Sequence, residues 1–117
     1  MATFRKNKLS ASTNGRAIKI AATSSPGTTL HTAVTGTSDW DEVWIWAVNT
    51  DTTPRKVTIE YGGTTSPDDL IEVTIAAESG LALIVPGLIL QNGSVVKAFA
   101  ATADVVNCHG YVNRITA

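Results

Sequence analysis

The chain has 117 residues, of which 44% are hydrophobic and 16% charged, with a formal net charge of −1. This length predicts one domain with a core that needs no metal, and the single cysteine, Cys108, excludes an intrachain disulfide framework. No apolar run reaches the roughly 18 residues of a membrane-spanning helix, and none follows the basic N-terminal residues as in a signal peptide. We therefore expect a soluble protein made in a cytoplasm, with no membrane partner.

The N-terminal segment is basic, whereas acids predominate in the rest of the chain. Every charged residue before Asp39 is a base, and these bases are Arg5, Lys6, Lys8, Arg16 and Lys19. Residues 1–15 are polar, and we interpret them as an extended N-terminal arm in front of a β-sandwich domain at 16–117. These cations are too few and too dispersed to indicate a nucleic-acid partner, and a basic arm that lies on an acidic neighbour fits the same pattern.

After the arm, short runs rich in Thr, Val and Ile alternate with turn residues, and no segment keeps a 3.6-residue period over helix length. We predict eight strands, at 16–22, 28–34, 41–49, 56–61, 70–75, 81–85, 94–101 and 104–115. Pro86-Gly87 ends the sixth strand, and Asn92-Gly93 is a strong hairpin signal before the seventh. The fold class is all-β, an antiparallel β-sandwich of about eight strands, with a jelly roll favoured and an immunoglobulin-like sandwich as the alternative.

One strand differs from the others in its side-chain pattern. Residues 56–61 show the ordinary alternation of a half-buried strand, which predicts Glu60 in solvent. Residues 43–48 are apolar on both faces, and Trp44 and Trp46 share one of them. The second face therefore needs cover, which either the arm or a loop of the same chain or another subunit would supply.

The tryptophans and the arm supply the candidate binding residues. We predict an interface that contains Phe4, Arg5, Lys6, Lys8, Trp40, Trp44 and Trp46. A stacking platform for sugars is an alternative use of the three tryptophans, with Asp39, Asp41 and Glu42 supplying hydrogen bonds. Against it, two of the tryptophans lie inside an apolar strand, where packing is the ordinary use of such side chains.

No arrangement of side chains predicts catalysis. Acids such as Asp41 fall at turns and strand starts, where carboxylates ordinarily face solvent. The two histidines, His31 and His109, cannot supply a three-histidine metal site. Cys108 and His109 are neighbours on a strand and point to opposite faces, so they cannot act together as nucleophile and base. We expect Cys108 to be a small buried hydrophobe, and we expect no enzyme activity, no cofactor and no bound metal.

The second half of the chain resembles a known class of proteins. The segments that carry the resemblance are VTIEYGG (57–63), IAAESGL (75–81), IVPGLILQNG (84–93), VVKAFAA (95–101) and VVNCHGYVNRI (105–115). Together, over about residues 55–117, they resemble small virion structural proteins of tailed bacteriophages and prophages.

That resemblance implies a non-enzymatic capsid decoration (cement) protein, located in the virion and made in the cytoplasm of a host bacterium. Its partners would be the major capsid protein or neighbouring virion proteins. It would form a homo-oligomer, with a trimer favoured. A head–tail connector or tail component is the alternative within the same class, and a carbohydrate-binding module is the alternative of a different class.

Overall fold

A computed structural model describes residues 2–117 of the chain. These residues form nine strands: β1 (Thr3–Lys8), β2 (Ile18–Lys19), β3 (Thr28–Thr32), β4 (Trp40–Asn49), β5 (Arg55–Tyr61), β6 (Leu70–Ile75), β7 (Ala82–Leu90), β8 (Val95–Ala100) and β9 (Val106–Thr116). Two antiparallel sheets, one of five strands and one of four, pack together as a β-sandwich. The predicted all-β sandwich is therefore confirmed.

The strand pairing is nested, as in a long hairpin that has been rolled up. β1 and β2 both pair with β9, β3 with β8, β4 with β7, and β5 with β6. The five-stranded sheet has the order β1-β9-β4-β7, with β2 also on β9, and the four-stranded sheet has the order β3-β8-β5-β6. This is the topology of a jelly roll, and it places the first and last strands in one sheet.

The core lies between the two sheets and is formed by alternate residues of the strands, as the pleat of a strand requires. β4 shows this most clearly, because Ile45 is fully buried whereas Trp44 and Trp46 on either side of it are only half-buried. The predicted division of residues 43–48 into two faces is confirmed. Cys108 is also fully buried, as predicted, and burial raises the pKa of its thiol to about 12.

The structure differs from the prediction of an extended arm at residues 1–15. Residues 3–8 form β1, which pairs with β9 from Thr3↔Thr116 to Lys8↔Tyr111. Leu9, the next residue, is only 1% exposed and belongs to the core. Five of the six β1 residues are exposed, so this edge strand has the polar composition of an arm although its backbone is paired.

The turn at Asn92-Gly93 is present, but the hairpin predicted from it is wrong. Both residues have positive φ, 61° and 68°, as an Asn-Gly turn requires. However, β7 pairs with β4, and β8 pairs with β3 and β5, so the turn carries the chain from one sheet to the other. The prediction that Pro86-Gly87 ends a strand is also wrong, since β7 continues through both residues. Proline is tolerated there because β7 is an edge strand and its pairing with β4 is irregular beside Pro86.

Two acids expected to face solvent are buried instead. Asp41 and Glu60 both have 0% exposure. Glu60 accepts hydrogen bonds from the Ser25 hydroxyl and from the Gly27 backbone N–H, the latter at 2.6 Å. These donors belong to the loop between β2 and β3. Alternation correctly predicts the side of the sheet on which Glu60 lies, but it carries no information about a loop that covers that side.

Candidate interaction surface

The outer side of the five-stranded sheet carries a cluster of aromatic rings. The register of its two central strands, β4 and β9, sets Trp44 opposite Tyr111 and Trp46 opposite His109. Residues opposite each other in an antiparallel pair point to the same side of the sheet. The ring centroids of Trp44, Trp46 and Tyr111, the aromatic cluster, lie 5.9–6.3 Å apart, with interplanar angles of 19–31°. Such spacing is typical of favourable aromatic contacts.

Polar neighbours hold the aromatic cluster in place. The indole N–H of Trp44 donates to Glu42 Oε1 at 2.8 Å, and the Asn113 amide donates to the same oxygen at 3.0 Å. These two hydrogen bonds stabilise the carboxylate and hold the pKa of Glu42 below its ordinary value. On the far side, the ammonium of Lys6 lies 4.5 Å from the centroid of the Tyr111 ring, a cation–π contact.

Strand β7 approaches the Trp44 ring closely at Gly87. A Cβ added to Gly87 would lie 2.8 Å from Trp44 Cζ2 and 3.0 Å from Cε2, and the φ of Gly87 is +77°. The position therefore requires glycine both for space and for backbone conformation. As a result, the backbone of β7 lies against the Trp44 indole and limits access to it.

Exposed apolar side chains extend the aromatic cluster towards both edges of the sheet. On β7, Leu83 pairs with Trp46 and is 47% exposed, and Ile89 pairs with Glu42 and is 59% exposed. On β1, Phe4 is 72% exposed and lies in register with Ile115, the partner of Trp40. The outer side of an antiparallel sheet normally carries polar residues, so this apolar surface, which we name the aromatic face, is a departure from the rule.

The register places most of the predicted interface residues on this one surface. Phe4, Lys6, Lys8, Trp40, Trp44 and Trp46 all share the outer side of the five-stranded sheet. Arg5 lies on the opposite side, in register with Arg114. Sequence reasoning missed Tyr111, Leu83 and Ile89. Counting alternate positions from the buried Cys108 would have placed Tyr111 on this outer side.

A buried polar network lies on the inner side of the same sheet, at one end of the sandwich. Arg114 donates to Asp41 through Nε at 2.8 Å and through Nη2 at 3.0 Å, and His31 Nε2 lies 2.7 Å from Asp41 Oδ2. The backbone N–H of Val34 also donates to this carboxylate at 3.1 Å. Burial alone would raise the pKa of Asp41, but the hydrogen bonds from Arg114 and His31 outweigh it and hold the pKa below 3.8.

The hydrogen bonds of His31 exclude it from proton transfer in this arrangement. The backbone N–H of Ser10 donates to His31 Nδ1 at 3.0 Å, so Nδ1 carries no proton and Nε2 donates to Asp41. Neither ring nitrogen has a free lone pair for a substrate proton, as a general base would need. The network therefore joins the end of β1 to β3, β4 and β9, and we interpret its role as structural.

The ionised state of Asp41 leads to a prediction about acid stability. A carboxyl whose pKa is lower in the folded chain stabilises the fold above its unfolded pKa, 3.8, and loses that contribution as the pH falls through the folded pKa. Thermal melts between pH 7 and pH 2 should therefore show a steep loss of Tm only below about pH 4. The part of this fall in Tm that is caused by protonation of Asp41 should be absent from the Asp41→Asn variant. An identical acid profile in the two proteins would contradict this role for Asp41.

Among residues 2–117, no group of three His, Cys, Asp or Glu side chains is placed to hold a metal ion. No helix long and apolar enough to cross a membrane occurs there. No protein-family model, curated protein or solved structure matches this chain.

Proposed function

We propose that this chain is a non-enzymatic structural protein that binds other protein subunits through its aromatic face. We further propose that it acts in the virion of a tailed bacteriophage, as a decoration (cement) protein on the capsid. The observation that carries the binding role is the aromatic cluster, which lies outside the core and is bordered by exposed Leu83 and Ile89. The phage setting is supported by the sequence resemblance of residues 55–117.

The size of the aromatic face fits a contact that is repeated many times. Four strands about 4.8 Å apart, over about seven residues of 3.3 Å each, give an area on the order of 400 Å². A standard protein interface takes about 800 Å² from each partner, so one such contact is weak by itself. In a shell, weak contacts from many copies add up to strong binding. We therefore propose that copies of the chain first assemble as a homo-oligomer, with a trimer favoured, and then bind the major capsid protein.

A carbohydrate-binding role is the second candidate, because three neighbouring aromatic rings beside Glu42 and Asn113 are the kind of groups that bind sugars. Several contacts favour protein instead. The backbone at Gly87 lies against the Trp44 indole, and the ammonium of Lys6 lies over the Tyr111 ring. The carboxylate of Glu42 already accepts two hydrogen bonds. Two of the three rings are therefore partly covered, which leaves little ring surface for sugar stacking.

The homo-oligomer leads to a prediction about solution mass. At a protein concentration high enough to populate a weak contact, the full chain should show the mass of a trimer by light scattering. Ile89→Lys should shift it to the monomer under the same conditions, because a charge would enter a desolvated apolar contact. Thr74→Lys, on the exposed side of β6 in the other sheet, is the matched control and should leave the mass unchanged. A monomeric wild-type protein, or an Ile89→Lys trimer, would overturn the proposed assembly through the aromatic face.

The location can be tested separately from the assembly. Antibodies raised against the chain should label the heads of phage particles in a lysate of the host by immunogold electron microscopy. Label at the neck or tail would replace decoration with a connector or tail role, and absence from particles would overturn the virion proposal. Affinity electrophoresis in gels that contain soluble polysaccharides tests the sugar alternative, for which we expect no retardation.

A further inference from the structure

We propose that the free edge of β1 is a docking site for an extended, acidic segment of a partner protein, which adds to the sheet as a further strand. This site uses the backbone at the edge of the five-stranded sheet and borders the aromatic face, with which it shares the side chains of Phe4, Lys6 and Lys8. It gives the N-terminal segment a role in binding that does not depend on the proposed oligomer.

The two edges of the five-stranded sheet differ in how readily they can accept a further strand. β1 ends the strand order and pairs only with β9 among the strands of residues 2–117, so one side of its backbone has no strand partner there. The opposite edge strand, β7, contains Pro86, and its pairing with β4 has two register shifts, features that hinder a further strand. β1 has neither a proline nor a register shift over Thr3–Lys8. Its geometry is therefore open to strand addition.

The charged side chains of β1 are all basic and favour an acidic partner. β1 carries Arg5, Lys6 and Lys8 and no acid. None of these three cations forms an ion pair with any of residues 2–117. Two clefts border the strand, one of about 410 Å³ and one of about 210 Å³, and both are lined by basic side chains from β1 and by Arg114. An acidic segment would supply the opposite charges that this edge lacks.

The same charges disfavour a second copy of β1 as the occupant. Two antiparallel β1 strands would set lysines and arginines of one copy beside those of the other, and like charges across a strand pair are destabilising. Lysine on an edge strand is a common means of preventing such self-pairing. The charge pattern thus selects against self-association and for an acidic partner.

The register specifies the pattern of the partner segment. Lys6 and Lys8 lie on the outer side of the sheet together with Phe4, whereas Arg5 lies on the inner side. An added strand would meet both lysines with acids at two alternate positions, and an apolar residue two positions further along would meet Phe4. Nucleic acid carries negative charge but has no peptide backbone to pair with a strand edge, so we favour a protein segment.

The experiment uses the full chain and a capped peptide of alternating Thr and Glu residues. Titration of the peptide into the ¹⁵N-labelled protein should shift the amide signals of residues 3–8. The Lys6→Glu/Lys8→Glu variant should bind it at least about tenfold more weakly, and the Thr-Lys counterpart of the peptide should bind that variant instead. Lys19→Glu/Lys56→Glu, which changes the net charge equally at sites away from β1, is the matched control and should bind the Thr-Glu peptide with nearly wild-type affinity.

A backbone control separates strand addition from general charge attraction. The Thr-Glu peptide with an N-methyl group at every residue keeps its charge but lacks all of its N–H donors, and it should not bind. Equal binding of the methylated peptide, or equal binding by both double variants, would overturn strand addition at β1. Tighter binding of a ten-residue oligothymidylate at the same amides would also overturn it, in favour of a nucleic-acid site. The Ile89→Lys variant should bind the Thr-Glu peptide like wild type, so failure here and failure of the proposed oligomer can be distinguished.

Discussion

Replacement of Arg114 by Leu should destabilise the fold by about 2–4 kcal/mol, because the fully buried Asp41 carboxylate would lose its cation, although Arg114 itself is 30% exposed. Arg114 donates two hydrogen bonds to Asp41, whose side chain is 0% exposed. Without the guanidinium, the carboxylate would remain buried with His31 and the backbone N–H of Val34 as its donors. The loss should be large because a desolvated charge would then lack its cation.

Chemical denaturation followed by tryptophan fluorescence measures this effect. Arg5→Leu is the matched control, because Arg5 lies beside Arg114 in the β1–β9 register but is exposed and forms no ion pair with residues 2–117. We expect the control to change the free energy of unfolding by less than about 0.5 kcal/mol. A loss below about 1 kcal/mol for Arg114→Leu would show that the network contributes little to stability.

Gly110→Ala should be comparably disruptive, for a steric reason. A Cβ at Gly110 would lie 2.1 Å from the backbone oxygen of Trp44 and 3.1 Å from the Cα of Ile45. Both atoms belong to the backbone of β4, so no side chain can rotate away to make room. The two central strands of the five-stranded sheet would have to separate, and we expect a loss of about 3 kcal/mol or more. Separation of β4 from β9 would also move Trp44 away from Tyr111, its register partner.

Thermal unfolding by circular dichroism tests this expectation. Gly80→Asn is the matched control, because a Cβ at Gly80 meets nothing within 4 Å, and its φ of +79° is one that asparagine tolerates better than most residues. The control should melt close to wild type, and Gly110→Ala should melt far lower or fail to fold. A Gly110→Ala protein with the wild-type Tm would mean that β4 and β9 are not packed as closely as this geometry requires.

Much of the candidate surface was predictable from the sequence, because strand alternation is a local property. The apolar residues of 43–48 predicted two apolar faces, with Trp44 and Trp46 together on one of them, and β4 has that arrangement. Which of the two faces is the core was not predictable from this pattern. Alternation could not predict that Tyr111 packs beside both tryptophan rings or that the Lys6 ammonium lies over the Tyr111 ring. Those contacts depend on β9 lying between β1 and β4, which no local pattern encodes.

The buried polar groups show the same limit. Asp41 follows a loop and begins a strand, a position where an acid ordinarily faces solvent, yet it is fully buried. Its partner Arg114 is 73 residues away in sequence. The aspartate is accommodated in the interior because the fold brings this arginine and His31 to it. The positions of these residues in the sequence give no indication that the three side chains are in contact.

By itself, therefore, the sequence determined the all-β class, the approximate positions of eight strands, the two faces of β4 and the burial of Cys108. Each of these follows from the two-residue period of a strand and from turn residues at its ends. The tertiary structure alone decided the nested pairing, the place of residues 3–8 as an edge strand and the separation of β7 and β8 into different sheets. These features arise from contacts between residues far apart in the chain, and such contacts leave no trace in a local pattern.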